Sequence, residues 1–167
     1  MLAGNVFAYN EDHRPFGPEA WPRIPLVEMP LAKDTGEPGG KPARFAFESA
    51  RDPQARLDVV LDGRDCRVGL SIGGREILSK APFSDFAEFG GQIKASAADL
   101  NQDGIADYVV SHWLGGCGLA SGYYDLAFLL STGETYKPTA ISRLWQDPGE
   151  YLLINRKPSL LHTTFHE

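Results

Sequence analysis

The chain has 167 residues, 43% hydrophobic and 11% aromatic, enough to bury one core of ordinary domain size. Its 22 acidic residues against 16 basic ones leave a net charge of -6 with no basic cluster, which argues against a phosphate backbone as partner. No stretch reaches the roughly 20 continuous apolar residues of a spanning helix, so neither nucleic acid nor a membrane span is expected.

The opening run Met1-Leu-Ala-Gly-Asn-Val-Phe-Ala lacks the charged n-region and long apolar h-region of a signal peptide. The compartment must therefore be inferred from the chemistry of the chain. Seven of the 12 prolines fall before residue 43. Residues 1–55 accordingly read as a Pro/Gly-rich extended segment packing on the domain, with residues 56–167 as its β-rich core, one folded unit overall.

From Arg56 the pattern becomes that of strands. Leu57, Val59 and Leu61 alternate with Arg56, Asp58 and Val60, and Asp62-Gly63 supplies a tight turn. Cys66, Val68, Leu70 and Ile72 then alternate with Arg67, Gly69 and Ser71, followed by Gly73-Gly74 and a short apolar stretch at Glu76 to Leu78. Phe83, Phe86 and Phe89 recur every third residue, a spacing that predicts one or two helical turns over Ala81 to Phe89. Further strands are expected at Ile105 to Trp113, Tyr123 to Leu130, Thr139 to Leu144, Tyr151 to Ile154 and Ser159 to Phe165, with turn chemistry at Asp147-Pro-Gly and Asn155-Arg-Lys-Pro. The whole reads as all-β or β-dominated: a β-sandwich or β-meander, or a small open barrel-like form of it, with one calcium-binding strand-loop-strand hairpin.

That hairpin rests on Asp99-Leu-Asn-Gln-Asp-Gly-Ile-Ala-Asp107, which places oxygen-bearing side chains at relative positions one, three, five and nine and glycine at six. Calcium is a hard cation that takes six to eight oxygens at about 2.3 to 2.6 Å. Asp99, Asn101 and Asp103 can be aimed at one point by a tightly turned backbone, with Gly104 permitting the turn. The Ile105 carbonyl would face the ion and Asp107 would close the shell. A helical EF-hand would need glutamate at position twelve, whereas Val110 stands there inside a strand-like run. Magnesium suits such a cage less well, because it keeps its waters in a strict octahedron.

With its apolar Asp107-Tyr-Val-Val continuation, this loop resembles the FG-GAP and VCBS repeat families, including integrin-α-type propeller blades, over about Ala95 to Leu130. The resemblance implies a calcium site at Asp99, Asn101, Asp103 and Asp107 between two strands, and a role in adhesion or recognition. A single copy of the acidic pattern does not imply a whole propeller. Without a bidentate glutamate the affinity should be modest, on the order of 10⁻⁴ to 10⁻³ M, so the site would fill where calcium is plentiful. This points to a periplasmic or extracellular protein.

Other groupings admit bland readings as well as chemical ones. Cys66 and Cys117 could form a bridge worth up to ~4 kcal/mol or be two buried thiols. His112 and Trp113 precede the run Leu114-Gly-Gly-Cys-Gly-Leu-Ala-Ser-Gly122, and Ser121, Tyr123, Tyr124 and Asp125 close or follow it, so a contact face is conceivable. Alternatively Tyr124, Leu126, Phe128 and Leu130 are the core side of a strand. Cys117 with His112, or Ser111 or Ser121 with His112 and Asp125, contain the residue types of nucleophilic catalysis but no G-x-S-x-G turn. His162, His166 and Glu167 read as a solvated tail, and Asp12, His13, Asp85 and Glu88 as surface charges.

The reading that follows is a calcium-binding, exported interaction module with a structural ion and no assigned catalytic residue, whose partner is another protein or a surface glycan. The alternatives are a secreted hydrolase with a site near His112 and Asp125, recognisable by a polar pocket there, or a small inhibitor or immunity-type protein that docks the 115–122 loop.

Overall fold

The computed structural model describes residues 23–34, 42–49, 54–63, 65–83, 92–113, 124–144, 151–154 and 157–160, and in these it is all-β. Thirteen strands follow one another: β1 (Arg23–Ile24), β2 (Val27–Met29), β3 (Leu31–Asp34), β4 (Ala43–Glu48), β5 (Ala55–Asp62), β6 (Asp65–Ile72), β7 (Arg75–Phe83), β8 (Ile93–Ala98), β9 (Asp107–Trp113), β10 (Tyr124–Ser131), β11 (Tyr136–Leu144), β12 (Tyr151–Ile154) and β13 (Lys157–Leu160). They form two five-stranded sheets, β3-β4-β5-β6-β7 and β11-β10-β9-β8-β2, and a small sheet β1-β12-β13. Every pairing is antiparallel.

The first sheet contains the meander expected from Arg56 onward and extends it by β3 and β4, which come from the Pro/Gly-rich stretch before it. Leu57, Val59, Val68 and Leu70 are buried on its inner face, while Arg56, Asp58, Arg67 and Ser71 stand on the other. The β5–β6 hairpin turns at Gly63, whose φ of 66° is one that L side chains rarely adopt. The register Leu61↔Cys66 then sets both inward runs against the same core.

The inner face of the second sheet supplies Ala95, Ala97, Tyr108, Val110, Ala127 and Leu129, which meet Phe47, Leu57, Val59, Val68 and Phe83 in one cluster. This shared core makes the two sheets a sandwich, each large side chain contributing about 1.5–3 kcal/mol by burial. The chain joins the sheets at one edge, since β2 belongs to one and β3 to the other. Pro30 lies between them, with no N–H to continue a ladder, and its carbonyl accepts from Glu48 N at 3.1 Å. At the opposite edge β7 and β11 approach each other.

β10 is buried on both faces. Leu126 and Phe128 enter a second cluster with Ile24, Ala98, Leu100 and Val109, against which Tyr124 and Leu130 pack. Ile24 brings β1 onto this outer face. Leu126 and Phe128 are thus core residues, as their alternation implied, but Ala127 and Leu129, which alternate with them, are core residues too.

The helical turn expected at Ala81 is absent where the chain is described. Ala81 to Phe83 complete β7, pairing with Val68, Arg67 and Cys66, and the buried Ala81 and Phe83 flank an exposed Pro82 in a period of two. Phe86 and Phe89 lie outside the described residues, as do the Asp147-Pro-Gly turn and Leu161 to Phe165.

Candidate functional site

β8 and β9 form a hairpin whose last pair is Ala98↔Asp107, so the acidic run connects two strands of one sheet. Its shape comes from side-chain oxygens taking backbone amides. Asp99 Oδ1 accepts from Asp103 N at 3.1 Å and Asp99 Oδ2 from Gly104 N at 3.0 Å. Asn101 Oδ1 also accepts from Asp103 N, at 3.1 Å, and Asp103 Oδ1 accepts from Ile105 N at 2.8 Å. Gly104 at φ 83° and Gln102 at φ 60° make the reversals this wrapping needs. The amide from Ile105 holds the Asp103 carboxyl below its ordinary range.

Asp107 is placed differently. It is fully buried, and its carboxylate accepts three backbone amides: Leu100 N at 2.7 Å and Asn101 N at 3.2 Å on Oδ2, and Ser131 N at 2.6 Å on Oδ1. Burial pushes this carboxyl above its ordinary range, while the three N–H groups pull the other way. Asn101 Nδ2 donates to Ser131 O at 2.8 Å and to Asp103 Oδ2 at 3.0 Å. Both backbone groups of Ser131, at the end of β10, are therefore tied to the loop. Tyr136 Oη adds a bond to Ala106 O at 3.0 Å, its ring lying 5.7 Å from that of Tyr108.

The donor set is chemically suited to calcium: three carboxylates and an amide, all hard oxygens, on a loop whose Ile105 is exposed. An ionised carboxylate has about four lone-pair sites. The backbone amides described above occupy two on Asp99 and three on Asp107, and on Asp103 one amide, the Asn101 side chain and the Ser131 hydroxyl occupy three. Among the described residues, no three His, Cys, Asp or Glu side chains gather closely enough to hold a metal ion as they stand. Asp99 and Asn101 share the Asp103 amide and Asp103 takes the next free amide along the loop, that of Ile105, whereas Asp107 is turned inward to the strands. A bound ion would draw first on Asp99, Asn101, Asp103 and the Ile105 carbonyl.

His112 and Asp125 form the second constellation. They are cross-strand partners on β9 and β10, and both are buried. Their strands direct alternate residues to the main core, so His112 follows Tyr108 and Val110, and Asp125 precedes Ala127 and Leu129. Cys66 comes near from the opposite sheet. Burial, with the Asp125 charge adding to it, pushes this free thiol up to about 12. Burial lowers the His112 pKa, and the Asp125 charge partly offsets the effect. Ser111 points to the other face of β9. Cys117 and Ser121 lie outside the described residues, as do Asp12, His13, Asp85, Glu88, His162, His166 and Glu167. A protonated, fully buried thiol is not a nucleophile. A recess of about 460 Å³ instead opens elsewhere, lined by Glu48, Gln54, Arg56, Ser71, Gly73 and Gly74. There Arg56 is already shared between Asp58 at 3.0 Å and Glu48 at 3.4 Å.

No protein-family model, curated protein or solved structure matches the chain. Its functional reading therefore comes from the residues themselves. Ser131 and Tyr136, some 24 to 30 positions from their loop partners, could not be assigned to the loop from spacing. The one available signal was the polar Ser131-Thr-Gly-Glu turn ending a strongly apolar strand.

Proposed function

We propose that this protein is an exported β-sandwich interaction module whose 99–107 loop binds a structural calcium ion. The observation that carries this reading is that Asp99, Asn101 and Asp103 wrap the same short stretch of backbone while Asp99 and Asp103 keep unused lone pairs. Calcium would neutralise the carboxylates and complete its shell with the Ile105 carbonyl, the remaining lone pair of Asp107 and water. The similarity of the loop to FG-GAP and VCBS repeats agrees with this, and suggests a protein or a surface glycan as partner. All the ligands would come from one connection between strands, an arrangement suited to stapling rather than to catalysis.

The test is a thermal melt of the whole chain in millimolar calcium and in excess chelator, repeated with Asp103→Ala. Calcium should raise the wild-type melting temperature, by an amount that grows with its concentration. The variant should lose that rise and keep its stability in chelator. An identical wild-type melt in both buffers would refute the reading.

A further inference from the structure

The geometry points to Asp107 as a metal-independent clamp that fixes the loop and ties the β8–β9 hairpin to β10 before any ion arrives. The sequence pattern makes position nine a ligand like positions one, three and five. In the fold it has other work: it is 0% exposed, whereas Asp99 is half-buried and Asp103 exposed. Its two oxygens reach amides on both sides of a gap in the chain, Leu100 and Asn101 in the loop and Ser131 at the end of β10. Ser131 is itself buried, so its N–H has lost water and must find an acceptor inside the protein.

A buried carboxylate is tolerated only when hydrogen bonds replace its hydration, and three amide donors do so here. The dependence runs both ways: the amides need the carboxylate, and the carboxylate needs the amides. Asn101 completes the link, its side chain donating to the Ser131 carbonyl while its backbone donates to Asp107. Neither tie requires an ion. These ties by themselves hold the loop in shape, so an ion that binds it would add stability in a graded way rather than trigger folding. The clamp stands independently of the calcium reading, since it is made wholly of protein groups.

The test is residue-resolved amide hydrogen exchange by NMR on the whole chain in excess chelator. The amides of Leu100, Asn101 and Ser131 should be protected without calcium. Asp107→Asn turns one acceptor oxygen into a donor facing donors, and should lower protection at these three sites about tenfold or more relative to the rest of the sheet. Asp103→Ala should leave them protected. Rapid exchange of the three amides in the metal-free wild type would overturn the clamp, as would full protection in Asp107→Asn. If that variant does not fold, the wild-type exchange in chelator still decides. A wild type that ignores calcium yet protects these amides would end the calcium reading and keep the clamp.

Discussion

His112 on β9 sits directly opposite Asp125 on β10, and both side chains are buried within the sandwich. Nearby, Cys66 from the other sheet feels the same carboxylate. Burial lowers the His112 pKa from 6.5, with Asp125 opposing the shift. A base whose pKa is depressed on folding binds its proton better in the unfolded chain. Its contribution is fully present above the unfolded value and is lost as pH falls below about 6.5. Stability should therefore decline across that window, by at most about 1.4 kcal/mol per pH unit from this one group. Urea denaturation of the wild type and of His112→Gln between about pH 7.5 and 5 checks it. The two proteins should differ in slope whatever their absolute stabilities, and parallel pH profiles would show that His112 is not the group responsible.

The Cys66 thiol should be inert in the native protein. With its pKa pushed up to about 12 and no exposed surface, it lacks both the thiolate and the access that alkylation needs. Iodoacetamide at about pH 8 should leave the Cys66 peptide unmodified by mass spectrometry until denaturant is added. Following this peptide alone keeps the result separate from any reaction at Cys117. Rapid native labelling would mean that this end of the core opens readily.

β5, β6 and the turn between them were legible because one face of the first sheet is solvated, whereas β3 and β4 lie in the Pro/Gly-rich stretch read only as extended. Arg56, Asp58 and Arg67 mark the outside, and the alternation then places Leu57, Val59, Val68 and Leu70 inside. β8 was implied only by the strand-loop-strand reading of residues 99–107, because Ile93-Lys-Ala-Ser-Ala-Ala98 carries small residues of weak strand preference and is held as a strand by its pairing with β9 and β2. The turn expected at Ala81 followed a three-residue aromatic spacing, but pairing with Cys66 to Val68 holds the start of that segment in β7. The loop showed its oxygen-bearing side chains by spacing alone. The burial of Asp107 was hidden, because it depends on the amide of Ser131, which the sheet brings near from 24 residues away. Cross-strand meetings such as His112 with Asp125 become definite only once the register is known.

Leu126 tests the layer that sequence reading did not anticipate. It is 0% exposed, and it faces the second cluster with Ile24, Leu100, Val109 and Phe128, away from the sandwich core. In a plain two-sheet sandwich that face would meet water, and trimming Leu126 would cost little. With Ile24 of β1 and Leu100 packed in its cluster, Leu126→Ala removes buried methyl groups and leaves a cavity, for a loss of about 2–5 kcal/mol. Leu129→Ala, on the opposite face of the same strand, should cost a similar amount by emptying the main core. Chemical denaturation of the two variants side by side compares the faces directly. Equal losses are expected from a strand covered on both sides, whereas a near-neutral Leu126→Ala would mean that the outer layer contributes no stable packing to the fold.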